Sequence, residues 1–202
     1  MSAMPNPKSV TVKEYLTLDE KSEFKHEYYH GEIYAMAGAS PNHNRIASST
    51  IGSFVRQLED RPCDVFGSDQ RVRISDIHYA YPDISIVCDI PLFDDANPPT
   101  LLNPTVLIEV LSSSTEGYDR HFKAQHFRAH DSLQEYLLIA QDRIHVEHWI
   151  RQPQEKWLLA ELSRLETVIE LASIHCTLAL VDVYRKVRFE DGDSFEMSDD
   201  GQ

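Results

Sequence analysis

Two carboxylates stand where apolar strands would otherwise run unbroken. Glu109 interrupts TVLIEVL (residues 105–111), whose β-branched and aliphatic content reads as a strand buried on both faces. Burying an ionised carboxylate alone costs several kcal/mol, roughly, so Glu109 must meet a cation, a hydrogen-bond network or a metal ion. Asp83 follows Pro82 and opens a second apolar run, ISIV. If the two strands are neighbours, the acids converge into a hard, oxygen-rich site suited to Mg²⁺, which takes one or two protein carboxylates and fills its shell with water and phosphate oxygens. The competing reading is structural: Asp83 caps a turn and Glu109 pairs with Arg71 or Arg73. Both stay open at this level.

A lysine completes the first reading. Ser112, Ser113, Ser114 and Thr115 end the Glu109 strand and offer caps to a helix predicted from about Gly117 to His130, which carries Lys123. An ordinary Asp119–Lys123 surface pair, four residues apart, would explain the same lysine. The serines alone would also make an anion site without catalysis. His126 and His130 share a helical face and could bind zinc, but no third ligand at suitable spacing accompanies them. No phosphate-binding glycine loop or G-x-S-x-G elbow is present.

Around these residues the sequence predicts a helix over 9–20, capped by Ser9 or Thr11. A hairpin follows, turning at His30-Gly31, with Glu27 and Glu32 flanking the turn. A helix after Ser40-Pro41 carries an Ile46/Phe54/Leu58 stripe and begins near His43. Strands are expected at CDVFG, QRVRIS and PDISIVCD, and after the central helix at EYLLIA, IHVEHWI, WLLAEL and Thr167 to Leu171. A short helix over Leu180 to Val187 closes the series. This order implies an α/β (α+β) fold with a mixed central sheet, in which the strands on either side of the central helix run parallel.

Residues 1–189 read as one domain, and residues 190–202, with six acids and no base, as a disordered acidic tail. The formal charge of −14 argues against tight nonspecific DNA binding by the whole surface, though a local basic groove remains compatible with it. Neither a membrane span nor a signal peptide is evident, so the expected location is cytoplasmic, with Cys63, Cys88 and Cys176 as reduced, buried thiols.

The strings PDISIVCD, PTVLIEVLSSST, the YD and K of YDRHFK, QEYLLI and HEYYHGEI together resemble the Uma-two family of endonucleases, over about Val10 to Val187. That family is placed in the restriction-endonuclease-like PD-(D/E)xK superfamily. The resemblance implies a mixed-sheet nuclease core, Asp83 and Glu109 as ligands of Mg²⁺ (or Mn²⁺), hydrolysis of nucleic acid, most readily DNA, and a homodimer. The superfamily pattern would put lysine two positions after Glu109, where Leu111 stands. The resemblance suggests that Lys123 has taken over its role. Superfamily nucleases often add an acid from the first core helix; here Glu32 or His43 would substitute. For the homodimer, Trp149, Trp157 and Leu159 are candidate exposed apolar residues on late strands. The alternative function is a noncatalytic nucleic-acid-binding or assembly protein retaining the fold.

Overall fold

The computed structural model of the protein describes residues 9–36, 38–112 and 123–189. Helix α1 (Val12–Lys21) starts at a reciprocal cap: the Thr11 hydroxyl accepts the Glu14 N–H, and the Glu14 carboxylate accepts the Thr11 N–H. Strands β1 (His26–Tyr29) and β2 (Glu32–Ala35) form the expected hairpin. Its turn needs Gly31 at φ +91°, where an added Cβ would lie 1.9 Å from the Ser9 hydroxyl. Helix α2 (Pro41–Leu58) begins with Ser40 as cap and Pro41 in the first turn, and buries Ile46, Phe54 and Leu58.

Strands β3 (Cys63–Gly67), β4 (Val72–Ser75), β5 (His78–Ala80) and β6 (Ile84–Cys88) follow, and a long connection leads to β7 (Val106–Leu111). Strand β5 is an addition to the sequence reading; three residues between turn signals give too little periodicity to detect. After α3 (Ala124–Phe127) come β8 (Glu135–Ala140), β9 (Val146–Gln152), β10 (Lys156–Leu162), β11 (Val168–Leu171), a 3₁₀ turn, β12 (Cys176–Ala179) and α4 (Leu180–Val183). The last helix is shorter than expected, and β12, which pairs with β11, was not foreseen.

The central sheet has six strands in the order β10-β9-β8-β7-β6-β3. It is mixed: β7 and β8 run parallel and their neighbours antiparallel, as expected from the crossover. Strands β7 and β8 are buried along their whole length. One face packs on α2, β11, β12 and α4; the other packs on α3 and residues of β4 and β5. A second sheet, β2-β1-β5-β4, stands beside it. Only Tyr81, Pro82 and Asp83 separate β5 in the small sheet from β6 in the large one.

The cysteine expectation is corrected in part. Cys63 and Cys88 lie directly opposite each other on β3 and β6 and form a disulfide, while Cys176 is a buried free thiol. Two cysteines 25 residues apart gave no sign in the sequence that their strands would pair in register. Ser113, Ser114, Thr115, Asp119 and Arg120, the first part of the helix expected from Gly117, and the tail over 190–202 lie outside the described residues.

Candidate active site

The β6–β7 register pairs Ile84 with Ile108, and the next step outward brings Asp83 alongside Glu109 at the end of the sheet. Asp83 Oδ2 accepts the Val110 N–H at 2.7 Å, which fixes the aspartate against the strand that carries Glu109. His43 Nε2 lies 3.1 Å from the same oxygen. The cap of α2 places that imidazole, because the Ser40 hydroxyl accepts the His43 N–H at 3.1 Å. Asp83 is therefore not a turn cap: two elements grip its carboxylate.

Glu109 is 5% exposed and Lys123 6% exposed. The ammonium sits 3.1 Å from Glu109 Oε1 and 2.9 Å from Oε1 of Glu27, on β1. Lys123 thus does not belong to a solvated surface pair, and Glu109 does not use Arg71 or Arg73. Arg71 is committed elsewhere. Wholly buried, it donates to Asp19 Oδ2 at 2.7 Å, Thr100 Oγ1 at 2.9 Å and the Pro98 carbonyl at 2.6 Å. Tyr81 donates its hydroxyl to the same Asp19 oxygen, and Asp19 Oδ1 accepts the His26 N–H at 3.0 Å. Burial, with the Asp19 hydrogen bond next, pushes the Tyr81 phenol above its ordinary range. Through Asp19, α1 holds both the start of β1 and the Tyr81-Pro82-Asp83 joint.

Glu27 is the acid that the sequence reading passed over for Glu32. Its Oε1 also accepts the Tyr81 N–H at 3.3 Å, and the residue is 7% exposed. Glu32 lies on β2, exposed, and accepts the Tyr34 hydroxyl at 2.5 Å; that bond is the main reason the phenol is pushed up to about 12. Glu27 pairs with Tyr34 and Tyr29 with Glu32, so both acids face the same side of the hairpin. What separates them is that β1 is flanked by β5 whereas β2 is the sheet edge, and a hairpin's sequence does not state which strand lies inside.

The zinc reading of His126 and His130 does not hold. His126 Nε2 lies 3.1 Å from the Tyr29 hydroxyl, whereas His130 Nε2 lies 3.1 Å from the Arg73 carbonyl and is occupied as a donor to it. His78 packs beside His126, and burial lowers its pKa to about 3, with His126 and Lys123 adding repulsion. Another mixed donor group was not anticipated: ligand atoms of His145, Glu147 and Glu161 lie within 4.8 Å of one another. Glu147 and Glu161 share the sheet row of Glu109, through Leu138.

The donor set of the main site suits a hard divalent cation. Glu27 and Glu109 share the Lys123 ammonium, and Asp83 stands beside Glu109 across the β6–β7 register with His43 on its other side, so three carboxylates gather at one end of the sheet. Gathered carboxylate oxygens of this kind are the ligands that Mg²⁺ takes.

The fold has a counterpart among solved structures. A crystal structure from Anabaena variabilis, described as a putative nuclease belonging to DUF820, superposes with a TM-score of 0.71 over 87% of this chain and 98% of the other, at 21% identity. Two Synechocystis sp. proteins are similar along nearly their whole lengths. One, sll1609, is 36% identical over 173 residues (85% of this chain, 98% of that protein), and the other, slr1290, is 33% identical over 186 residues (92% and 96%). The family model of Uma2, described as "Putative restriction endonuclease", matches residues 12–181, a span that includes Glu27, His43, Asp83, Glu109 and Lys123, and the chain belongs to that family.

Proposed function

We propose that the protein is a divalent-metal-dependent endonuclease that hydrolyses phosphodiester bonds in nucleic acid, with DNA as the favoured substrate. The observation that carries this reading is the gathering of Asp83, Glu109 and Glu27 at one end of the central sheet, with Lys123 bonded to the two glutamates. Asp83 and Glu109 would hold Mg²⁺ or Mn²⁺, with Glu27 as a third carboxylate in reach of the same lysine. When bound, the ion supplies Lewis-acid polarisation of the scissile phosphate and a lowered pKa for bound water. Lys123 has two tasks in this scheme: to orient the attacking water, and to offset negative charge that develops on the phosphate. His43 orients Asp83. Glu27 holds the ammonium of Lys123 in the site and stands as the further acid for which Glu32 or His43 is the expected substitute.

Cleavage of both strands of a duplex calls for two active sites, and we assign the protein a homodimer on that ground. Support comes from β10, a sheet edge with Leu158 and Leu159 exposed. Trp149 and Trp157, the other residues expected there, are half-buried beneath Arg128 and Arg151, whose guanidinium carbons lie 3.8 and 4.9 Å from the rings. A cytoplasmic location fits a nucleic-acid substrate, and none of the described helices is long and apolar enough to cross a membrane.

The deciding experiment incubates purified protein with labelled DNA and RNA, with Mg²⁺, with Mn²⁺ and with chelator. Metal-dependent cleavage that disappears in Asp83→Ala and Glu109→Ala supports the reading. Cleavage that persists in both variants, or its absence from the parent protein under every condition, refutes it and favours a noncatalytic binding protein on the same fold.

A further inference from the structure

Helix α2 has a second face that the site does not use. Ile46, Thr50, Phe54 and Leu58 are buried, but Arg45, Ser49, Gly52 and Arg56 recur at helical spacing on the opposite side. Together with Arg185 and Lys186, just beyond α4, they line a groove of about 480 Å³. Gly52 keeps its floor open: a Cβ there would meet only the Arg56 guanidinium, at 3.5 Å. Asp182 is the one acid in the lining, and it is already bonded to Arg185. Arg45 donates to Asn42 at 2.9 Å, while the charged groups of Arg56 and Lys186 have no hydrogen-bond or ion-pair partner among the described residues. In a chain of formal charge −14, four converging cations against one carboxylate form a local exception.

We propose that this groove binds the phosphate backbone of nucleic acid outside the cleavage site. The inference deepens the nuclease reading above and rests on it for the identity of the polyanion. Arg45 to Arg56 spans about 16 Å of helix axis. One strand of a duplex carries roughly five phosphates over that length, at about 3.4 Å each, so the four cations would neutralise most of the charge along the groove. The Ser48 and Ser49 hydroxyls of the lining add neutral donors to phosphate oxygens. Arg45 is two residues from His43, which touches Asp83, so the groove and the cleavage site lie on opposite sides of the same end of α2.

The test uses full-length protein carrying Arg56→Glu and Lys186→Glu together. Binding to a fluorescent duplex and to an RNA of equal length is measured in chelator, so that no cleavage intervenes, across about 50–200 mM salt. We expect affinity to fall about 10-fold or more on both ligands and the salt slope to shrink by about two. Metal-dependent hydrolysis of bis(4-nitrophenyl) phosphate, too small to reach the groove, should stay at the parent level. Unchanged affinity and salt slope would overturn the inference. So would a fall in melting temperature that the reversal causes in the parent but not in a chain with Asp191→Asn, Asp193→Asn and Glu196→Gln, since the groove would then serve the acidic C-terminal residues. If the parent cleaves neither substrate, the nuclease reading fails, and the chelator measurements still decide the groove.

Discussion

Lys123 is surrounded by acids, and its removal separates two roles that a static ion pair merges. Lys123→Ala should lower cleavage by about 10²-fold or more, the scale of a positioned proton-handling group, while leaving metal-induced stabilisation in place because the ammonium is not a ligand. Lys123→Arg keeps the charge but not the donor geometry, so it should remain impaired. Full activity in both variants would remove the lysine from the mechanism. The two hairpin acids make a sharper contrast. Glu27→Gln should cost activity, since its Oε1 contacts both Lys123 and the Tyr81 amide, whereas Glu32→Gln should cleave at the parent rate because its bond is to exposed Tyr34. The reverse pattern in steady-state rates would return the extra acid to Glu32.

At the scale of elements, the site depends on how α1 docks. Tyr15 stacks on Tyr28 at 5.0 Å and donates to the His26 carbonyl at 2.7 Å, while Asp19 reaches Arg71, Tyr81 and the His26 amide. Asp19→Ala would strand the fully buried Arg71 guanidinium without its counter-ion. We expect a loss of about 3–5 kcal/mol in chemical denaturation, the range for breaking one side of a buried pair. A loss below about 1 kcal/mol, the scale of an exposed pair, would mean that water or another acid compensates. The same variant loosens the Tyr81-Pro82-Asp83 joint, so activity should fall even in the molecules that remain folded.

Across the whole molecule, stability should depend on acid through its buried imidazoles. His78 titrates near 3 when folded and near 6.5 in its ordinary state, so the unfolded chain binds the proton first as pH falls. Its contribution is complete above pH 6.5 and declines from there toward pH 3, by up to about 1.4 kcal/mol per pH unit. Burial shifts His130 in the same direction. Melting temperatures between pH 5 and 6.5 should therefore fall less steeply in His78→Leu than in the parent; equal slopes would show that the imidazole is not the titrating group. The assembly has its own check. Sedimentation at micromolar concentration should give a dimer, and Leu158→Lys with Leu159→Lys should give a monomer if the β10 edge is the contact. A monomeric parent would dispose of the dimer altogether.

Much of this was legible from local pattern. The buried, largely apolar β7 and β8, the capped starts of α1 and α2 and the hairpin at Gly31 follow from periodicity and turn chemistry, which act over a few residues. An acid inside an apolar strand also marked Glu109 as needing a partner. Which partner it has was not legible. Lys123 lies 14 residues from Glu109 and 96 from Glu27, and only the packing of the small sheet against the large one brings Glu27 and Glu109 to one ammonium. That Glu27 and not Glu32 meets Lys123 has the same origin, because side-chain alternation gives both acids one face and only β5 makes β1 the inner strand. The Cys63–Cys88 disulfide required the β3–β6 register, and the basic face of α2 required residues after α4 to fold against it. Local propensity sets the elements of this chain; long-range pairing and burial, which carry no short-range signature, decided which charges meet.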